Sequence, residues 1–241
     1  MLASVSALCY RNGIQNPLAH FGKGSPPDRM NLTTTEAILS LPAEGKGGNP
    51  MIAPPLRLHD CSLVTDGAAA LVVSSLEEAK KNSDRAVAIA GIGMTTERLP
   101  ENVRPNMHEL IAGKLAVQQS FNEAGISIAD VDFAEVHDCF TINQILSVEA
   151  LGLSPDGRGG WDFIDGRYTP DDACPINLSG GLKSKGHPVG ATGASMHALA
   201  YKQLIGEPIG LAPGKGQPET GVVFNVGGSA VTNCVTTLRR V

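Results

Sequence analysis

The sequence lacks the features by which several large classes of protein are recognised. No apolar run approaches the roughly 20 residues that a membrane-spanning helix needs. It contains neither the P-loop pattern nor the dinucleotide-binding G-x-G-x-x-G pattern. The formal net charge is −5 and no basic patch stands out. The sequence therefore predicts no membrane span, no nucleotide-binding loop and no nucleic-acid partner.

The cysteines show no paired spacing. The five cysteines are an odd number, which argues against a disulfide framework and favours reduced thiols in a cytoplasmic protein. The mildly apolar start, Met1 to Tyr10, has no basic region before it and is interpreted as a buried segment rather than a signal peptide. The last residues are not a Ser-Lys-Leu address, although a peroxisomal or mitochondrial location stays open.

Hydrophobic residues make up 42% of the chain and charged residues 18%, a balance typical of a globular protein. Strand-like apolar runs alternate with helical patterns, which predicts an α/β layered fold. The predicted strands are 66–74, 86–94, 131–136, 222–226 and 231–238, and the predicted helices are 33–41, 76–82, 106–124, 141–151 and 194–205. A boundary near Asp84 divides the chain into parts 1–84 and 85–241.

The helix at 106–124 has the most detailed prediction. Asn106 and Glu109 form a capping-box pattern at its start, and Gly125 suits its end. Its predicted buried face consists of Met107, Leu110, Ile111 and Leu115.

Four short motifs carry residues on which chemistry could depend. Gly186 to Gly193 places His187 between glycines, which let the backbone turn sharply and approach a ligand. Glu135 to Thr141 contains His137 and Cys139, which are two residues apart and so share one face of an extended chain. A cysteine thiolate beside imidazoles is expected to have a lowered pKa and to exchange protons near neutral pH. The other motifs are Asp60 to Ala70 and the glycine-rich run Phe224 to Ala230.

Each of these residues alone has an ordinary structural explanation. A buried cysteine is usually a small hydrophobe, Gly227-Gly228 alone suits a tight strand turn, and Ser62 is equally well explained as a loop serine. A zinc site is a further alternative, because His59-Asp60-Cys61 repeats the tripeptide His137-Asp138-Cys139. His-x-Cys is not a usual zinc-finger spacing, so no metal is expected.

In their order along the chain, the four motifs resemble the thiolase superfamily from roughly Asn16 to the C-terminus. Gly186 to Gly193 resembles its histidine loop. Glu135 to Thr141 resembles its Asn-Glu-Ala-Phe loop, in the form found in thiolases related to sterol carrier protein. Phe224 to Ala230 resembles the glycine-rich loop that closes the active site, and Asp60 to Ala70 resembles the strand that follows the CoA-binding loop region.

The resemblance implies a thiolase-like fold with a mixed β-sheet layered with helices. It implies an acyl-CoA C-acyltransferase, which cleaves 3-oxoacyl-CoA or condenses two acyl-CoA molecules in a Claisen reaction. Coenzyme A would be a substrate, with no permanently bound cofactor. Homodimers or homotetramers are expected.

The resemblance also implies roles for single residues. Cys139 would be the general acid/base at the substrate α-carbon. His187 would stabilise negative charge on a thioester oxygen, and His137 would help hold the enolate oxyanion directly or through water. The backbone N–H of Gly227 would belong to a second oxyanion hole, and Ser62 matches a position that touches the pantetheine arm. Asn225 stands where other thiolases have a second cysteine.

The acyl-accepting cysteine of that superfamily has no counterpart here, because the surroundings of Cys9 do not resemble its glycine-bearing turn. Three explanations stay open: a portion of a longer acyltransferase, a subunit of a split enzyme whose partner chain carries the nucleophile, or an aldolase-like homologue that acts on a steroid side-chain CoA ester. A non-catalytic CoA-binding or assembly subunit is a further hypothesis. An exposed apolar face is predicted where a missing half would pack.

Overall fold

The computed structural model describes residues 1–241 as nine α-helices and six β-strands, with three short 3-10 turns. The helices are α1 (Leu2–Ile14), α2 (Pro26–Arg29), α3 (Thr35–Leu39), α4 (Leu76–Asn82), α5 (Ile111–Ala124), α6 (Thr141–Ala150), α7 (Gly159–Ile164), α8 (Gly181–Lys185) and α9 (Thr192–Leu204). The strands are β1 (Met51–Ala53), β2 (Leu56–Arg57), β3 (Val87–Thr96), β4 (Phe133–Val136), β5 (Thr220–Gly227) and β6 (Thr232–Arg240).

A four-stranded mixed sheet in the order β3-β6-β5-β4 forms the centre of the molecule. β4 runs parallel to β5, whereas β6 is antiparallel to both β5 and β3. Because β4 and β5 are parallel, their carboxyl ends meet at one edge of the sheet. β1 and β2 form a separate two-stranded pair.

Side chains bury both faces of this sheet, as the period-two alternation of a strand requires. On one face, Val222 and Phe224 of β5 belong to a core that extends to α1, α5 and α6. On the other face, Val223 packs with side chains of α9. This helix–sheet–helix layering confirms the predicted α/β class.

The apolar N-terminal segment forms α1, and it is buried as predicted. Val5, Leu8 and Cys9 are in the same core as the central strand β5. The first residues of the chain are therefore packed into the body that carries the sheet.

Two glycines let β3 lie directly against α5. A Cβ on Gly93 would be 1.8 Å from the carbonyl oxygen of Ala116, and one on Gly91 would be 2.1 Å from that of Ser120. Both distances are far below van der Waals contact, so no other residue type fits at this strand–helix interface without moving backbone.

The predicted buried strand at 66–74 is wrong. These residues have no regular secondary structure and lie largely exposed, and Val72 is as accessible as in an extended chain. Strand composition indicates a sheet environment, but a strand also needs a neighbour whose backbone can pair with it. Residues 66–74 pair with no strand of either sheet, and the run is left as unpaired apolar chain.

This unpaired run agrees with the predicted exposed apolar face. Val64 is 97% exposed, and Leu71, Val72 and Val73 are also exposed. Isolated exposed apolar residues are common, but a run of them marks a surface that is suited to contact with another polypeptide.

Helix α5 begins later than predicted, and of the four residues of the predicted buried face only Leu110 is fully buried. The Asn106 side chain accepts a hydrogen bond from the His108 amide at 2.9 Å, which forms a local turn instead of a helix cap. Met107 and Leu115 are exposed, whereas Ala116, Val117 and Phe121 are buried against the sheet. Small residues such as Ala116 and Ser120 permit the close approach of β3. The buried face of α5 is therefore set by packing against the strand and not by the positions of its largest apolar side chains.

The remaining predicted elements lie within a few residues of the observed ones, and α4 has the predicted bounds. Gly125 ends α5 in the left-handed conformation with φ of 64°. None of the helices combines the length and the apolar character that crossing a membrane requires.

We predict that Gly93→Ala lowers the free energy of unfolding by about 1–3 kcal/mol, because the new methyl group collides with the α5 backbone. Chemical denaturation of the 241-residue chain measures this. Ile92→Ala, on the exposed side of the same strand, is the control and should cost about 1 kcal/mol or less. Equal losses in the two variants would contradict the close-approach argument.

Candidate active site

The loops that follow β4 and β5 form the centre of the candidate site. The amide of His137 donates to the carbonyl oxygen of Phe224 at 2.9 Å, which extends the parallel ladder by one residue beyond β4. The same register brings Asn225 beside His137, and the His137 Nδ1 to Asn225 Oδ1 distance is 2.7 Å. The pairing of β4 with β5 thus fixes both the position and the orientation of this imidazole.

His187 lies against His137. The ring centroids are 5.1 Å apart and the planes are almost perpendicular, at 89°. Nδ1 of His187 is 2.7 Å from Oγ1 of Thr192, the first residue of α9. Neither imidazole has a protein hydrogen-bond partner at Nε2, so both rings keep one nitrogen free for a ligand.

The His187 loop is held from a distant part of the sequence. Val64 forms a parallel bridge with His187, and the Thr65 hydroxyl accepts a hydrogen bond from the His187 amide at 3.2 Å. Val64 and Thr65, which immediately precede the predicted strand 66–74, therefore contact the site.

Cys139 and Ser62 lie opposite each other. Cys61 forms an antiparallel bridge with Phe140, and the Ser62 amide donates to the carbonyl oxygen of Cys139 at 2.8 Å. Directly opposed residues of an antiparallel pair project to the same side. Ser62 is thus a cross-strand neighbour of Cys139, which its loop position alone did not reveal.

A buried carboxylate anchors the His-Asp-Cys tripeptide. Asp138 accepts hydrogen bonds from the amides of Leu182 and Lys183, at 2.6 and 3.2 Å. His187 lies only four residues after Lys183. Asp138 therefore connects the His137 loop to the segment that leads into the His187 loop. Sequence reasoning missed this role, for which the only local signal was a charged residue between two candidate catalytic side chains.

Glu135, three residues before Asp138 and within β4, makes a similar anchor. Its carboxylate accepts from the hydroxyl and the amide of Ser179, at 2.6 and 3.1 Å. Burial raises the pKa of Glu135 and of Asp138 to about 6 in each case, because the charged form loses its hydration.

Burial also sets the charge state of the imidazoles. Desolvation lowers the pKa of His137 to about 4, and it lowers the pKa of His187, with a smaller contribution from the positive charge of Lys185. Lys185 donates to the hydroxyl of Ser195 at 3.0 Å, on the first turn of α9. Both rings are therefore neutral at physiological pH, and each carries one N–H and one lone pair.

The expected low pKa of Cys139 is wrong. Burial, followed by the negative charge of Asp138, raises the pKa of this thiol to about 11. The imidazoles do not offset this effect because they are neutral, and only a charged imidazolium would stabilise a thiolate. Cys139 therefore carries its proton at neutral pH.

The other sequence candidates have separate surroundings. Gly227 is exposed at the end of β5, where it pairs with Thr232, two residues beyond Asn225. His59, in the repeated tripeptide, has its Nδ1 2.7 Å from the hydroxyl of Tyr10, and the Cys61 thiol is 3.4 Å from the carbonyl oxygen of Arg57. The two tripeptides thus make different contacts.

The arrangement is suited to moving a proton and holding an anionic oxygen. A protonated thiol can donate to a carbanion, and an imidazole N–H can stabilise the oxygen of an enolate. Residues 93–240 match the protein family described as "Thiolase C-terminal domain-like". This match covers more than half of the chain and includes both histidine loops.

Two curated relatives extend this match. Acetyl-CoA acetyltransferase of Methanothermobacter thermautotrophicus is 36% identical over 237 residues, which cover 97% of this chain and 56% of that protein. Sterol carrier protein 2 of Rattus norvegicus is 39% identical over 157 residues, which cover 63% of this chain and 29% of that protein. The chain spans about half the length of the first relative and less of the second.

A solved structure shares the fold. The Ltp2-ChsH2(DUF35) aldolase superimposes with a TM-score of 0.79 at 19% identity, over 99% of this chain and 58% of that one. With the family match, the two curated relatives and the common fold, the chain belongs to the thiolase superfamily, and within it to the sterol-carrier-protein type.

Proposed function

We propose that this chain is the enolate-handling part of an acyl-CoA C-acyltransferase, a thiolase that cleaves 3-oxoacyl-CoA with coenzyme A or condenses two acyl-CoA molecules. One observation carries the proposal: two neutral imidazoles with free Nε2 atoms lie in the loops that also contain a protonated, half-buried thiol. Coenzyme A is a substrate, and these groups supply the acid–base chemistry without a permanently bound cofactor.

In cleavage, the thiolate of the proposed acyl-accepting cysteine adds to the β-carbonyl carbon. The bond between the α- and β-carbons then breaks, which leaves the acyl group on that cysteine as a thioester and delocalises the electron pair onto the thioester oxygen of the other fragment as an enolate. Cys139 then gives its proton to the α-carbon and becomes a thiolate. Its raised pKa suits this step, because the proton is present at neutral pH. In condensation Cys139 first gives its proton to the thiolate of the coenzyme A that leaves during acylation, and the resulting Cys139 thiolate then removes the α-proton, which regenerates the thiol.

The negative charge on the thioester oxygen needs hydrogen-bond donors. We assign this role to His187, with His137 acting through a water molecule, since donors held in place before the reaction stabilise an oxyanion most effectively. Gly227 at the end of β5 is the proposed donor of a second oxyanion hole, and Ser62, opposite Cys139, is the proposed contact for the pantetheine arm.

The acyl-accepting cysteine is proposed to come from a further polypeptide region, either on a longer protein or on a partner chain. The exposed apolar run at 64–73 supports this, because Val64 and Thr65 touch the His187 loop while the following residues have no pairing partner. A region that pairs with this run would lie next to the site. We also propose that the boundary near Asp84 separates this docking part from part 85–241.

Retro-aldol cleavage of a β-hydroxyacyl-CoA is the second candidate function. It uses the same enolate site but no acyl-enzyme, and the described chain has no cysteine in the nucleophile's turn. The aldolase named above shares this fold, which supports the candidate at the level of fold only.

Replacing Cys139 by Ala should abolish exchange of the α-protons of acetyl-CoA with solvent deuterium, with a loss of at least about 100-fold. The assay uses this chain combined with the region that carries the acyl acceptor, and NMR follows the exchange. Cys174→Ala, which removes a buried thiol outside the candidate site, should retain near-parental exchange. Unchanged exchange in Cys139→Ala would refute the role assigned to this thiol.

Alkylation of Cys139 by iodoacetamide should keep accelerating up to about pH 11, because burial raises the pKa of this thiol above its ordinary value and only the thiolate reacts. An ordinary thiol such as N-acetylcysteine, with a pKa near 9, levels off above about pH 10. Peptide mass mapping follows the reaction, and Cys139→Ala identifies the peptide. Levelling near pH 7 would instead indicate an activated thiolate.

Exposure of the 241-residue chain to acetyl-CoA should leave its mass unchanged, whereas the protein extended by the acyl-accepting region should gain one acetyl group. Intact-protein mass spectrometry measures both. An acetyl adduct on the 241-residue chain alone would contradict the proposal that the acyl-accepting cysteine lies in a further polypeptide region. Cleavage of a β-hydroxyacyl-CoA with no adduct on either form would select the retro-aldol alternative.

A further inference from the structure

One buried lysine of α8 is linked by hydrogen bonds to both copies of the His-Asp-Cys tripeptide, the first at residues 59–61 and the second at residues 137–139. Resting on the proposed enolate site, we propose that Lys183 is a positioning residue that holds the two tripeptides together and so keeps Ser62, the proposed pantetheine contact, against Cys139. The backbone of Lys183 binds the second tripeptide, and its side chain is connected to the first.

The surroundings of the Lys183 ammonium are unusual for a lysine. The residue is 2% exposed, and no carboxylate oxygen lies within 4.0 Å of its Nζ. Nζ donates to the Tyr10 hydroxyl at 2.6 Å and lies 4.3 Å from the centroid of that ring and 5.6 Å from the centroid of Phe21. Lysines are rarely buried unless an opposite charge accompanies them, and burying an unpaired ammonium is costly. An apolar side chain would fill this space at lower cost, so the hydrogen bond to Tyr10 is the feature that needs an explanation.

The Tyr10 hydroxyl extends this contact to the first tripeptide. The ammonium group has hydrogens and no lone pair, so the Tyr10 oxygen accepts from Lys183 and can use its own hydrogen elsewhere. Nδ1 of His59 lies 2.7 Å from that oxygen. The backbone of the same residue is held by the Ser6 hydroxyl, which donates to the His59 carbonyl oxygen at 2.5 Å, and by Asn49, which accepts the His59 amide at 3.0 Å. Lys183 thus reaches the first tripeptide through one side chain of α1.

From the first tripeptide the connection continues to Cys139. The Asp60 carboxylate accepts a hydrogen bond from the Thr141 hydroxyl at 3.2 Å, and the Ser62 amide donates to the Cys139 carbonyl oxygen at 2.8 Å. Between these two contacts the segments form an antiparallel bridge. A displacement of the first tripeptide is therefore expected to move Ser62 relative to Cys139.

The backbone of Lys183 completes the connection at the second tripeptide. Its amide donates to the carboxylate of Asp138, the residue directly before Cys139, at 3.2 Å. Cys9, which precedes Tyr10 in α1, has its thiol 3.4 Å from the same carboxylate oxygen. Adjacent residues of α1 thus contact one tripeptide each. Because the amide of Lys183 does not depend on its side chain, a side-chain substitution should loosen the first tripeptide and leave the contact with Asp138 in place.

The test is amide hydrogen exchange of the 241-residue chain, followed by NMR. Lys183→Met keeps the apolar stem but removes the ammonium, and it should accelerate exchange of the Ser62 amide at least about tenfold through local opening. The amide of Val223, in the central strand β5, should keep its parental rate. Lys185→Met is the matched control, because the Nζ of Lys185 bonds to Ser195 instead, and it should leave Ser62 exchange unchanged. Parental Ser62 exchange in Lys183→Met, or an equal acceleration at Ser62 and Val223, would overturn the proposal.

A second substitution tests the connection through Tyr10. Tyr10→Phe keeps the ring but removes the hydroxyl, and it should accelerate Ser62 exchange as much as Lys183→Met does. The double variant should show no further acceleration, since both groups act through one contact. Additive effects of the two substitutions would overturn the connection.

His59 gives a spectroscopic readout. Burial, followed by the positive charge of Lys183, lowers the pKa of His59 to about 4. Lys183→Met removes that charge and should raise the pKa of His59 in an NMR titration, whereas Lys185→Met should not. An unchanged His59 pKa in Lys183→Met would contradict the proposed position of the ammonium beside this tripeptide.

These measurements are made without substrate and do not depend on catalysis. If Lys183→Met loosens Ser62 but Cys139→Ala leaves α-proton exchange of acetyl-CoA unchanged, the proposed function fails and the positioning role stands. If α-proton exchange requires Cys139 but Ser62 keeps its parental amide exchange in Lys183→Met, the positioning role alone fails.

Discussion

The buried carboxylate of Asp138 is the constraint on which the site depends. It lies between His137 and Cys139 in sequence, and it accepts hydrogen bonds from the amides of Leu182 and Lys183 in α8, the helix that precedes the second histidine loop. A buried carboxylate is stable only when donors compensate for its lost hydration, so the two loops must stay together. Without these two amides the buried carboxylate would keep only the Cys9 thiol as a donor, at 3.4 Å.

Desolvation at this same place sets the protonation of every candidate catalytic group. It lowers the pKa of both imidazoles and raises that of the Cys139 thiol, so the resting site contains neutral rings and a thiol rather than an ion pair. The two imidazoles and the thiol are therefore all uncharged at rest. Such a site is suited to a reaction in which charge appears only briefly, on an enolate oxygen.

The candidate site lies next to the exposed, unpaired run at 64–73. Val64 and Thr65 contact the His187 loop, and the apolar residues immediately after them pair with nothing. A protein rarely exposes a run of this composition without a use for it. The chain also spans about half the length of the acetyl-CoA acetyltransferase that it matches. The candidate catalytic groups and the unpaired apolar surface are therefore neighbours.

The sequence by itself determined the α/β class, most helices and strands, and the side chains that could carry chemistry, because periodicity, capping and short motifs are local. Local signals did not determine that residues 66–74 are unpaired, that α5 buries its small residues, or that Cys139 keeps its proton. Those outcomes depend on which distant residues come together. Asn225 is 88 positions from His137, yet it fixes that ring. Only the tertiary structure decides such contacts, since burial and hydrogen bonding are summed over neighbours in space rather than along the chain.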